Sequence, residues 1–291
     1  MLKTEAEGVR LEPTQIEAIL SLLSDRDEEI LNSVRKQLFE MGKARVNQIL
    51  DAAEVGTRAR QEVEDVLRRL REPSLEQQFS RLAATQEGDV ELEAGAFTLV
   101  KLGYPDAALD RYADRLDRMA AVLRPQISSR DHPLRVIRCM NHFLFKTHGF
   151  RGQENYSSCP DPDNSFLNRV MDRKRGLPIA LSTITLLLAR RLDLPFAGVG
   201  MPFHFIVKYK TDEDRDIFLD PFNKGEILTR NECADMLTRS RIPFKENSLR
   251  EVSDREILTR MMVNLVHTYK ALGRGQTVQT LARLVRTLSA H

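Results

Sequence analysis

Between Pro178 and Pro195 the chain reads PIALSTITLLLARRLDLP, and a helix over this run has almost no polar face to turn toward water. The first proline suits an opening helical position and the second lies just past the end, so the segment has defined limits. A helix that is apolar nearly all round must be wrapped by the rest of its domain. The wrapping is legible on both sides. Upstream stands NSFLNRVMDRKRGL, where Asn164 or Ser165 can cap a helix and Gly176 suits its left-handed stop. Downstream, FAGVG and FHFIVKY read as strands, the second alternating Phe203, Phe205, Val207 and Tyr209 against His204, Ile206 and Lys208. The charged turn TDEDRD leads into a return strand, IFLD, and on to PFNKGE.

The N-terminal part is all helical in pattern. Thr14 and Glu17 have capping-box spacing before IEAILSLL. A second helix starts near Ser24 or Asp25 and stops at Gly42, VNQILDAAEV runs to Gly56, and a fourth helix runs from Thr57 to Pro73. Four short helices with tight connections fit either a HEAT-like hairpin array or a plain bundle, and both offer contact surface rather than chemistry. Ser74 to Asp89 is polar and reads as a boundary. Helices are expected over VELEAGAFTLVKLG, AALDRYADRLDRMAAVL and LRVIRCMNHFLF, and beyond the strands over NECADMLTR, where Thr229 and Glu232 form a capping box. REILTRMMVNLVHTYKAL from Asp254 and TVQTLARLVRTL close the chain as a tetratricopeptide-like hairpin. The expected division is 1–73 helical, 89–245 α+β, and 250–291 a helical hairpin.

Charge excludes some functions. Lys plus Arg number 44 against 42 for Asp plus Glu, a formal charge of +2, so no concentrated basic face argues for nucleic acid. The cluster Arg68, Arg69 and Arg71 reads as the solvated end of a helix. The three cysteines, Cys139, Cys159 and Cys233, lack CxxC spacing and fit a reducing compartment. The N-terminal MLKTEAEGVRLEP has no basic region followed by an apolar one, and no apolar run approaches the roughly 20 residues a bilayer requires. A cytoplasmic protein away from membranes is the expectation.

His204 and Asp220 are the residues with chemistry in prospect. On neighbouring antiparallel strands a carboxylate can hold one imidazole nitrogen, the orienting half of a Cys-His-Asp or Ser-His-Asp site. The missing member is a nucleophile at a helix N-terminus, where unpaired N–H groups lower a thiol pKa and stabilise an oxyanion. Such a pair is also a common structural feature. A metal role for it finds too few further ligands, and no cofactor motif occurs.

The run from PDPDNSFLN through RGLPIALS, ARRLDLP and FHFIVKY to LDPFNKG resembles the SirB1 family of transglutaminase-like proteins, over roughly Asp89 to Leu237. The resemblance implies a papain-like transglutaminase fold, α+β, whose site is a Cys on a helix followed by His and Asp on strands. His204 falls at the motif's His and Asp220 at its Asp. The nucleophile does not carry over: counting back from LDLP reaches Pro178 or Ile179, and the helix contains no Cys. SirB1-like sequences share that gap. The resemblance therefore implies a catalytically silent domain that binds a protein or peptide partner. The competing reading is an amide hydrolase or acyl transferase with a substitute nucleophile, Ser182 one turn into the helix or Cys159 from the preceding loop. Mid-helix Ser usually bonds the preceding turn. Asn164 and Asn168, spaced to share one helix face, together with Arg175 and Asn223, are the candidate binding residues, and the Asn pair also suits an internal role.

Overall fold

The computed structural model describes residues 11–71, 73–84, 89–156, 158–211, 216–239 and 241–290. The side chains of Arg68, Arg69 and Arg71, the expected turn at 212–215 and most of the leading MLKTEAEGVRLEP stretch lie outside the described residues. The chain divides into two compact units, 1–74 and 75–291.

The first unit holds α1 (Pro13–Leu23), α2 (Glu28–Met41), α3 (Lys43–Ala52) and α4 (Arg58–Arg71). Their apolar stripes close one small core around Leu23, Leu31, Leu38, Val46, Ile49 and Val63. Helix starts differ from the expected ones. α1 is capped by Glu12 and Gln15 with Pro13 at its first position, because proline's fixed φ starts the helix ahead of Thr14. α2 begins after Asp27, whose side chain accepts from the Glu29 N–H.

In the second unit the stretch read as a boundary contains α5 (Leu75–Ala83), with Phe79 fully buried in the main core. Polar residues outnumber apolar ones there, so its single buried stripe is easily overlooked. α6 (Leu92–Val100), α7 (Asp110–Leu123) and α8 (Pro133–Asn141) follow, and α8 continues as a π-helical turn over His142–Thr147. β1 (Arg151–Gly152) comes next, then α9 (Leu167–Arg173), β2 (Arg175–Gly176) and α10 (Pro178–Arg191). Asn164 and Ser165 do not cap α9. Asn164 closes a short 3-10 turn, Phe166 is the N-cap, and Lys174 rather than Gly176 takes the left-handed C-cap position with φ 60°. Gly176 instead pairs with Gly152, because β1 and β2 run parallel.

α10 is the centre of the unit, buried from Pro178 to Ala189. β3 (Phe196–Val199), β4 (Ile206–Tyr209), β5 (Ile217–Asp220), β6 (Glu226–Leu228) and β7 (Glu251–Val252) form an antiparallel sheet in the order β6-β5-β4-β3-β7. Phe205, Val207 and Tyr209 face the core that contains α10. Ile206 faces a second cluster with Val199, Phe218 and Cys233, under α11 (Arg230–Arg239). The sheet is thus covered on both sides, which is why both faces of β4 are apolar. α12 (Asp254–Ala271) and α13 (Gly275–Ser289) form the final antiparallel hairpin within this unit. A capping box between Ser253 and Glu256 starts α12. Among the described residues no helix is long and apolar enough to cross a membrane.

Candidate functional site

Asp220 ends β5 and is 1% exposed. A buried carboxylate needs hydrogen-bond donors, and the sequence LDPFN supplies several locally. The Phe222 N–H donates to Oδ1 at 3.0 Å and the Asn223 side-chain amide to Oδ2 at 2.8 Å. The Asn223 N–H also donates to Oδ1, at 3.4 Å, and the fourth neighbour is His204 Nε2, 2.7 Å from Oδ2.

His204 does not sit mid-strand as expected. It lies in the turn between β3 and β4, two residues before β4 opens, with its N–H donating to the Met201 carbonyl at 3.2 Å. The turn forms because Phe203 adopts φ 60°, a conformation unfavourable for a bulky L-residue. The β4–β5 register puts Val207 opposite Leu219, so continuing it two steps beyond Ile206 sets His204 against Phe222. Their rings meet edge to face at 6.0 Å. Asp220 on Nε2 fixes the neutral ring as the Nε2–H tautomer and leaves the Nδ1 lone pair available.

The 151–153 backbone ties the two halves of the site together. The Gly152 N–H donates to the Phe222 carbonyl, and the Gln153 N–H to the Gly176 carbonyl just ahead of α10, both at 3.1 Å. Gly152 is required by close approach, since a Cβ there would stand 2.7 Å from the Phe222 ring. Behind the DPFNKG turn, Asn141 donates to the Gly225 carbonyl at 2.6 Å, and Gly225 holds φ +75°. The entry to α10 is fixed by the Leu177 N–H donating to the Asn164 carbonyl at 2.8 Å.

His204 and the start of α10 open onto one cleft of about 1010 Å³, lined among others by Leu177, Pro178, Phe203, His204 and Arg260. The helix N-terminus that shares this cleft with His204 therefore carries Pro178, which has neither a nucleophilic side chain nor an N–H. Ser182 is fully buried and donates to the Phe205 carbonyl at 3.3 Å, across to the sheet. The expected bonding to the preceding turn is made instead by Thr183 to Ile179 and Thr185 to Leu181. Cys159 is exposed in the loop before α9, where its N–H caps back to Asn155. Among the described residues neither Ser182 nor Cys159 hydrogen-bonds the His204 ring. Among them, too, no three His, Cys, Asp or Glu side chains gather as a metal cluster.

Of the candidate binding residues, Asn164 and Asn168 are each 3% exposed, so they face the interior rather than a peptide. They do not share one α-helical face, because Asn164 belongs to the 3-10 turn. Arg175 is exposed, Arg173 is paired with Asp161 at 2.7 Å, and Asn223 supports Asp220 directly. Sequence reasoning missed Phe222, Gly152 and Arg260. The repeated Arg-Gly of 151–152 and 175–176 was the available signal for β1 and β2, while Arg260 comes from a helix far along the chain.

The family model described as transglutaminase-like superfamily matches residues 110–263. A UPF0162 protein of Xylella fastidiosa (strain 9a5c) is 30% identical over 204 residues, 67% of this chain and 71% of that protein. Protein SirB1 of Salmonella typhimurium is 25% identical over 176 residues, 58% of this chain and 62% of that protein. Human F-box only protein 21 is 29% identical over 153 residues, which are 50% of this chain and 24% of that protein. No solved structure matches. With a matched family domain spanning α7 to α12, and the His-Asp pair in place beside the helix N-terminus, the chain belongs to the transglutaminase-like superfamily.

Proposed function

We propose that this protein is a non-catalytic, transglutaminase-like binding module that receives a protein or peptide segment in the cleft beside His204. The observation that supports this reading is Pro178 at the helix N-terminus that shares the cleft with His204. Covalent catalysis at such a terminus needs a thiol or hydroxyl there. Ser182 is buried against the Phe205 carbonyl and Cys159 is exposed in its loop. His204 and Asp220 then keep a structural and recognition role, holding the turn that presents Phe203. The matched stretch makes up 24% of the much longer F-box only protein 21, which fits a domain used as a part of larger proteins. The helical first unit supplies additional contact surface, and a cytoplasmic setting suits the three free thiols.

The alternative, an amide hydrolase or acyl transferase, is favoured by the intact 2.7 Å His-Asp bond. Turnover of generic amide and acyl-transfer substrates by the purified protein separates the two. We expect none above background. Turnover abolished by His204→Ala would replace the binding reading with the enzymatic one.

A further inference from the structure

The cleft is walled on one side by a whole face of α12. Arg255, Thr259, Arg260, Val263, His267 and Ala271 recur along it at helical spacing. From Arg255 to Ala271 this wall is about 24 Å long at 1.5 Å per residue. An extended chain rises about 3.3 Å per residue, so the wall matches a peptide of about seven residues.

The charge of the lining is one-sided. Its only carboxylate among the described residues is Glu256, already engaged by Arg250. Arg255 donates to the carbonyls of Leu288 and Ala83, which fix it without neutralising it. Arg260 donates through Nη2 to the His204 carbonyl at 3.0 Å, and its guanidinium carbon lies 5.8 Å from the Phe205 ring centre. Among the described residues no carboxylate forms an ion pair with Arg260 or Arg255. Burial pulls the Arg260 guanidinium below its ordinary pKa, with no opposing carboxylate. A guanidinium stays charged in proteins, so this charge sits half-buried and uncompensated. Opposite, Phe203 is 78% exposed at the cleft edge despite its strained φ of 60°. Strain of this kind is retained where the surroundings impose it, and often serves recognition.

We infer that the cleft takes an extended acidic peptide segment, with one carboxylate on Arg260 beside His204 and a neighbouring apolar side chain against Phe203. The inference rests on the binding-module reading and adds the class of ligand. Positive charge at two points along α12, Arg255 and Arg260, suits more than one carboxylate rather than a single chain terminus.

The test uses the full chain, immobilised, and two pooled heptapeptide libraries identical except that fixed Glu positions in one are Gln in the other. The Glu pool is expected to be retained and the Gln pool much less. Arg260→Gln should weaken individual retained peptides roughly tenfold or more, the loss of a charge-assisted hydrogen bond. Arg260→Lys should recover part of it, and Phe203→Ala should weaken peptides with an apolar neighbour. Far-ultraviolet circular dichroism and melting of each variant confirm that it folds. Equal retention of both pools, or Glu-peptide affinity unchanged in folded Arg260→Gln, overturns the acidic-ligand inference and leaves the module reading standing. Retention of neither pool overturns both.

Discussion

His204 Nε2 and Asp220 Oδ2 stand 2.7 Å apart, with the carboxylate 1% exposed and also held by Phe222 and Asn223. The bond closes the turn before β4 onto the end of β5, so the pair has a structural task whether or not chemistry follows. Asp220→Ala leaves the Phe222 N–H, the Asn223 amide and the imidazole without their acceptor. Orphaning donors of a buried carboxylate costs about 3 kcal/mol. Urea denaturation at neutral pH should show a loss of that size, and Asn223→Ala about 1 kcal/mol for one hydrogen bond. A loss below about 1 kcal/mol in Asp220→Ala would mean that solvent already satisfies the carboxylate.

Gly152 sets the position of Phe222, and Phe222 sets the edge on which the His204 ring rests. In Gly152→Ala the added methyl meets three ring atoms at 2.7 Å, so the ring or the β1 backbone must move. Overpacking of this kind costs about 1–3 kcal/mol. The expected result is a lower melting temperature together with a shifted His204 ring resonance. Unchanged His204 resonances in a destabilised variant would show that Phe222 moves without the imidazole.

Lys174 is the left-handed C-cap of α9, with Nζ 4.2 Å from the Phe150 ring centre. Among the described residues Nζ is buried without a hydrogen-bond partner. Burial, helped by nearby Arg115, lowers its pKa to about 8. An unfolded lysine titrates near ~10.4. Below pH 8 both states are protonated, and between the two values only the unfolded chain is, so this group makes stability rise with pH across that window. Lys174→Met should flatten the rise and stabilise the protein at pH 7 by about 1 kcal/mol, the shift being discounted for solvent screening. Urea midpoints for both proteins at pH 7 and pH 10 decide it. A parallel pH response would show that Lys174 reaches water.

The core of the fold was legible because its residues state it locally. Pro178 and the apolar run to Ala189 define α10, and the apolar content of FHFIVKY and IFLD defines β4 and β5. What was not legible depends on contacts distant in sequence. α5 is recognisable only once Phe79 has a core to enter. The left-handed conformation of Phe203 shortens β4 and moves His204 into a turn, which no alternation pattern can report. Lys174 displaced Gly176 as the helix stop because Gly176 is needed where Val170 and the Asn164 backbone crowd it. Arg260 reaches the His204 carbonyl from 56 positions away. The His-Asp pairing itself was legible, since FHFIVKY and IFLD are apolar runs joined by a charged turn, which makes them neighbours in an antiparallel sheet.

The sharpest prediction concerns the helix terminus that shares the cleft with His204. Pro178 is the first residue of α10 and lines the same cleft as His204. In Pro178→Cys the introduced thiol would stand at a helix N-terminus, whose partial positive charge favours a thiolate. It would also face an imidazole held by Asp220 on its other nitrogen. Thiols in such surroundings have pKa values of about 3.5–7.5, against about 8.5 for a free cysteine. Iodoacetamide alkylation followed by peptide mass spectrometry reads this directly, with exposed Cys159 and buried Cys233 as internal references. Cys233 itself should stay unlabelled in the folded protein, since burial pushes its thiol up to about 11. Position 178 is buried in the cleft wall, so the reading is the pH dependence: labelling of the introduced thiol should be near its plateau already at pH 6, where a free thiol's would still be rising, because a lowered pKa leaves it largely ionised there. His204→Ala in the same background should move that dependence back toward a free thiol's while leaving the Cys159 rate alone. If the introduced thiol alkylates with the pH dependence of Cys159 and ignores His204→Ala, then the helix terminus and the imidazole do not converge. The terminus would in that case not hold a side chain where the imidazole could act on it.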